Sequence, residues 1–217
     1  MSVKHHISEE LLLDYASGNL AEGWSLAVAT HLAMCPPCRK RLDLVEAAAG
    51  VLVDALEPVQ GPADAWDQLK SRLGEAPAPS RADTRPRRSM ASSELPEPLR
   101  SYVGNLADIK WRNIGAGHQC MIKIDDGETQ ARLLKIPAGK PVPEHSHGGR
   151  ELTLVLKGSF HDEVDHFGPG DLEEADGELT HQPIAGTDED CICLAITDAP
   201  LKFRSRLVRL VQPLFGI

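Results

Sequence analysis

Aromatic side chains are scarce in this sequence, at 4% of residues, so a core built on stacked rings is excluded and ring packing is local. No apolar run is long enough to cross a bilayer, and the start shows no charged-then-apolar leader. The expectation is a cytoplasmic chain with no membrane partner. Cysteine is sparse as well. Five is an odd number, and the five do not form the paired framework of a small secreted domain, so thiols free for metal in a reducing compartment are expected. Basic residues are outnumbered, 23 Lys and Arg against 32 Asp and Glu, for a net charge of −9. Affinity for a phosphate backbone comes from Lys and Arg, so this balance argues against direct nucleic-acid binding. It leaves room for a protein partner that itself carries a basic, nucleic-acid-binding face.

The 217 residues fit one large or two small domains. Residues 1–75 read as helical. In "SEELLLDYASG", Ser8 is the expected N-cap, Glu9 and Glu10 favour the first turn, and Gly18 is a stop. A second helix is expected over Glu22 to Met34, ended by Pro36 and Pro37. A third starts at about Cys38, with Leu42, Val45, Ala49, Leu52 and Leu56 at three- and four-residue spacing. "ADAWDQLKSRL" makes a fourth. Residues 76–96, rich in Pro, Ser, Ala and Arg with no apolar period, read as a flexible linker. From residue 97 to 217, short β-prone runs such as "ARLLKIPAG", "ELTLVLKGSF" and "CICLAITD" alternate with turn residues, the pattern of a β-sandwich or barrel. The last stretch, from Leu201, reads as a closing strand or an amphipathic tail.

Two constellations carry chemistry. The first is "HLAMCPPC". His31 and Cys35 are four apart and share a helix face, and the Pro-Pro turn returns Cys38 to the same point. Three N/S ligands within eight residues suit zinc, and a closed structural site needs a fourth. His5 and His6 precede the first helix and either supplies it, with His6 preferred. A redox reading of Cys35 and Cys38 lacks the preceding strand that a thioredoxin-like motif requires and leaves His31 without a role.

The second is "GKPVPEHSHGGRELTLVLKG". His145 and His147 are two apart and face one side of a strand; Glu151 opens the next strand after Gly148-Gly149. Downstream lies His181. Three imidazoles and a carboxylate converging in a small barrel make a divalent-metal site. His161 and His166 are competitors, read as solvated. The run Gly139, His145, His147, Glu151, Gly158 resembles the first cupin motif. Pro169-Gly170 resembles the turn of the second, although His181 comes later than that motif's histidine and no asparagine follows it. The resemblance implies a jelly-roll barrel that holds a divalent ion.

The first constellation resembles the zinc-binding anti-sigma domain, through His31, Cys35, Cys38 and an upstream histidine. A zinc-binding helical bundle followed by a cupin barrel is similar to the layout of the ChrR-type anti-sigma factors. That resemblance implies a multidomain α + β chain with zinc at His6, His31, Cys35 and Cys38, and a second divalent ion, zinc again, at His145, His147, Glu151 and His181. It implies an extracytoplasmic-function (RpoE-like) sigma factor as partner. The sigma factor is kept from core RNA polymerase and released under oxidative stress, singlet oxygen or organic peroxide, through the cupin. Residues 1–75 hold six Lys and Arg against eleven Asp and Glu, a net −5 that suits a basic partner. Cys191 and Cys193 share a strand face and read either as small buried hydrophobes or as an oxidant-responsive pair; Cys120 reads as core. The competing function is a cupin enzyme of dioxygenase type with the zinc helices as a docking module. It finds no obvious acid, base or substrate clamp in the strands, so no catalytic residue is assigned.

Overall fold

The computed structural model describes residues 3–74 and 95–204. The expected linker falls almost wholly outside these, as does the tail beyond residue 204. Helices α1 (Glu9–Ala16), α2 (Glu22–Met34), α3 (Pro36–Asp54) and α4 (Ala65–Gly74) come first, then α5 (Glu97–Val103) leads into the strands. Ser8 caps α1, its Oγ accepting from Leu11 N–H at 3.3 Å, with Glu9 and Glu10 in the first turn. Helix α2 has the expected bounds. Helix α3 starts earlier than the spacing suggests: Pro36 and Pro37 do not merely stop α2 but form the first turn of α3, where a backbone N–H would be unsatisfied anyway. Cys35 alone separates the two helices.

The carboxy-terminal half is a β-sandwich. Its main sheet holds six strands in the order β1 (Arg112–Asn113), β2 (His118–Ile122), β3 (Gln130–Ile136), β11 (Cys191–Thr197), β5 (Glu151–Lys157) and β8 (Leu172–Ala175). Facing it are two three-stranded sheets. One is β10 (Ile184–Ala185), β6 (Phe160–His161) and β7 (His166–Phe167); the other is β12 (Leu201–Phe203), β4 (His145–His147) and β9 (Thr180–His181). Antiparallel register sorts the main sheet into two faces. Leu133, Leu154, Leu194 and Ile196 point outward and are buried together with Leu11 and Leu26 from α1 and α2 and Leu99 from α5. Ile136, Val155, Cys191 and Cys193 point inward toward Phe160 and Phe167. Helices and sheet therefore share one apolar core. The barrel's outer face is the floor on which α2 lies.

Both ends of α2 are pinned to the sandwich. Ala21 has no side chain to cap the N-terminus, and Asp126 in the β2–β3 loop does so instead, its Oδ2 accepting from Gly23 N–H at 3.1 Å. At the C-terminal end the Pro169-Gly170 turn presses against Met34. Gly170 has φ +92°, and a Cβ there would run into Val3 and lie against Met34, so only glycine fits. Next to that turn, residues 4–8 run along β8. Leu172 N–H donates to the His5 carbonyl at 3.2 Å, and Ser8 N–H to Glu174 Oε1 is 3.0 Å.

One surface has no cover. From Glu46 onward α3 is exposed, and so are the residues that follow it and residues 65–73 of α4: Leu52 is 72% accessible, Leu56 70%, Val59 94% and Trp66 63%. The α3 period predicted from sequence is real, but among the described residues nothing packs on its far half. No helix of the described residues is long and apolar enough to cross a membrane.

Candidate metal centres

The first centre forms where α2 meets α3. His31 on α2, Cys35 in the joint and Cys38 in the first turn of α3 are fully buried. His6 reaches in from the strand-like segment before α1. His31 Nε2 lies 3.4 Å from Cys38 Sγ, and His6 Nδ1 lies 3.3 Å from Cys35 Sγ and 3.5 Å from Cys38 Sγ. All four ligand atoms lie within 4.8 Å of one another. Ligand atoms on a tetrahedral ion with Zn–S near 2.3 Å and Zn–N near 2.0 Å are about 3.5 Å apart, so the spacing and the N2S2 donor set both fit zinc. Burial pulls the His31 pKa down to about 4, against the raising effect of the Gly170 carbonyl, so the imidazole is neutral and ready to ligate near pH 7. His5 turns the other way. It stacks on Phe167 with ring centres 4.3 Å apart and sets Nε2 3.1 Å from Asp165 Oδ2.

The second centre lies inside the sandwich. Strand β4 presents His145 and His147 on one face, and β9 pairs with it so that His181 stands opposite His145. His181 Nε2 is 3.2 Å from His147 Nε2 and 3.3 Å from His145 Nε2. Those separations again match two nitrogens on one ion. Glu151 is not in this close cluster. Its Oε2 lies 3.2 Å from His147 Nδ1, behind the ring, and its Oε1 accepts from Thr153 Oγ1 at 2.8 Å. Burial raises the carboxyl of Glu151, but His147 and His145 outweigh it and hold it below the usual range, so it is ionised. His161 and His166 are exposed on β6 and β7, away from the three.

Two further carboxylates meet His181 that the motifs do not contain. Asp162 Oδ2 lies 2.7 Å from His181 Nδ1, and Glu173 Oε1 lies 3.4 Å from it. Burial lowers the His181 pKa, yet Glu173 and Asp162 together raise it to about 9. No local pattern announces these residues: Asp162 sits in a turn 19 positions from its partner.

His145 and His181 open on a mostly apolar cavity of roughly 80 Å3, lined by Leu134, Val142, Phe160 and Leu201. Cys191 and Cys193 form part of its wall, with Sγ atoms 3.5 Å apart and both side chains buried. Contact with Cys191 and then burial push the Cys193 thiol well up, so it is a thiol and not a reactive thiolate. Cys120, expected in the core, is only partly buried.

Residues 100–199 match the family model described as the ChrR cupin-like domain. Over its whole length the chain is 48% identical to the anti-sigma-E factor ChrR of Cereibacter sphaeroides, with 100% of both chains covered. It is also similar to a chain of the crystal structure of Rhodobacter sphaeroides SigE in complex with the anti-sigma ChrR. There the TM-score is 0.79 at 44% identity, covering 91% of this chain and 100% of that one.

Proposed function

This chain belongs to the ChrR family of anti-sigma factors, and on that footing we propose that it binds an extracytoplasmic-function sigma factor and holds it away from core RNA polymerase. It acts by binding, not turnover. The observation that carries this is the uncovered apolar surface of α3 and α4. A helix whose Leu and Val recur at core spacing yet stand mostly in water is a docking surface. The net charge of −5 over residues 1–75 adds attraction for the basic faces by which a sigma factor meets polymerase or DNA.

His6, His31, Cys35 and Cys38 hold zinc in this reading, and the ion supplies a fixed joint between α2 and α3. That joint sets the direction in which α3 leaves the shared core. In the barrel, His145, His147, Glu151 and His181 hold a second divalent ion, zinc again. Oxidative stress, from singlet oxygen or an organic peroxide, acts on the barrel and releases the sigma factor. The division into residues 1–75, a linker at 76–96 and 97–217 is one of labour, since the halves share a core. Contact between them gives a route by which a change in the barrel loosens the helices.

The test is reconstituted transcription. Core polymerase and an extracytoplasmic-function sigma factor from the same cell are assayed on that factor's promoter with the zinc-loaded chain added. Stoichiometric loss of transcript, with a 1:1 complex on gel filtration, is expected. Full transcription at excess chain contradicts the proposal.

A further inference from the structure

The three barrel imidazoles turn Nε2 toward one another. In two of them, His145 and His181, Nδ1 meets an acceptor. For His145 it is the Pro143 carbonyl, at 2.8 Å. For His181 it is Asp162 Oδ2, at 2.7 Å, with Glu173 Oε1 at 3.4 Å. His147 Nδ1 lies 3.2 Å from Glu151 Oε2 without a hydrogen bond. Neither Asp162 nor Glu173 belongs to the cupin motifs.

Asp162 is built for this contact. Its side chain is inaccessible to solvent although it lies in a surface turn. Oδ1 is already engaged, accepting from Val164 N–H at 2.9 Å and Asp165 N–H at 3.2 Å, which leaves Oδ2 aimed at the ring. The β6–β7 turn therefore sets the carboxylate, and the carboxylate sets the imidazole. Glu173 arrives independently, from β8, opposite Thr153 of β5. An imidazole offers Nε2 to an ion only while Nδ1 keeps the proton, and an acceptor on that proton fixes both tautomer and ring plane.

We propose that Asp162, seconded by Glu173, is a positioning residue for the barrel ion, holding His181 as an Nε2 ligand. The inference rests on the reading that His145, His147 and His181 bind an ion. A rival arrangement is on the same residues, because Asp162, Glu173 and His181 Nδ1 themselves lie within 4.8 Å of one another. The 2.7 Å contact favours the hydrogen bond, being shorter than the edge of about 3.4 Å between N and O ligands of one tetrahedral zinc.

The experiment uses the full chain loaded with zinc. Zinc per chain is counted, the barrel ion is titrated against a chelator, and the His181 tautomer is read by 15N–1H correlation. The amino-terminal ion serves as internal control. Two ions per wild-type chain and an Nδ1–H tautomer at His181 are expected. Asp162→Ala should weaken the barrel ion by about 10- to 100-fold, mix the tautomers and leave the other ion unchanged. Asp162→Asn, whose amide oxygen still accepts, should recover part of the loss; if the alanine variant does not fold, this variant decides. Wild-type affinity and tautomer in both variants would overturn the proposal. So would a third zinc lost with Asp162, which would make it a ligand. A wild-type barrel that takes up no zinc would sink the metal reading itself, seen as one ion per chain.

Discussion

Asp171 Oδ1 accepts the backbone N–H of His5 at 2.9 Å, one residue before His6 of the first His/Cys cluster. The same oxygen accepts from Lys4 N–H, and Oδ2 accepts from Gly168 N–H at 2.8 Å. One buried carboxylate of the barrel thus holds both its own turn and the segment that brings His6 to the other centre. Burial would raise its pKa, but these N–H groups win and keep it ionised. Asp171→Ala should remove that anchor. The expected outcome is about tenfold faster zinc loss from the amino-terminal centre, near the low end of what an outer-shell partner contributes, timed with a chromophoric chelator. An unchanged rate would show that His6 is held by the helices alone.

The exposed apolar surface at the end of α3 and just beyond it makes a prediction of opposite kind. Leu52→Glu with Leu56→Glu touches no packed neighbour, so unfolding free energy should move by about 0.5 kcal/mol or less, measured in urea. Sigma-factor affinity should fall by about 100-fold or more, since desolvated apolar anchors at an interface each contribute about 2 kcal/mol or more. A double variant that binds as wild type would place the docking surface elsewhere.

Asp126 gives a pH signature. Burial raises its carboxyl, but the Thr129 hydroxyl at 2.6 Å and the N–H groups of Thr129, Gly23 and Glu128 hold it well below the usual carboxylate range. A pKa depressed on folding contributes stability that is complete above the unfolded value of about 4 and is lost as pH falls below it. The melting temperature of wild type should therefore exceed that of Asp126→Asn near neutral pH, with the gap closing as pH is lowered past about 4. A gap that does not change with pH would mean that the charge on Asp126 contributes nothing.

Gly23 tests the same contact sterically. A Cβ there would meet the Thr129 side chain and crowd Ile124. Gly23→Ala should lift α2 off the β2–β3 loop at a cost of about 1–3 kcal/mol, read from thermal unfolding, despite alanine's better helix propensity.

Much of this was legible in the sequence because it is local. Ser8, the bounds of α2 and the spacing of His31, Cys35 and Cys38 depend on neighbours within a turn or two. The pair His145 and His147 is written in the two-residue period of a strand. Other features are not local. Glu173 reaches His181 through the pairing of β8 with β5 and of β9 with β4, and Asp162 reaches it from the turn between the paired strands β6 and β7. The cap of α2 comes from Asp126, 103 residues away. Periodicity over residues 42–56 predicts an apolar face but not what covers it, and Leu52 and Leu56 at the end of that period are exposed. Composition marks where a linker begins and is silent on whether the units it joins share a core.

Calorimetric titration of the sigma factor into the full chain, comparing zinc-loaded protein with the chelated Cys38→Ser variant, tests most directly whether the zinc joint between α2 and α3 presents the proposed sigma-binding surface. Expected are 1:1 binding by the first and at least a hundredfold loss in the second, about 2.7 kcal/mol. Equal affinity for both would contradict it.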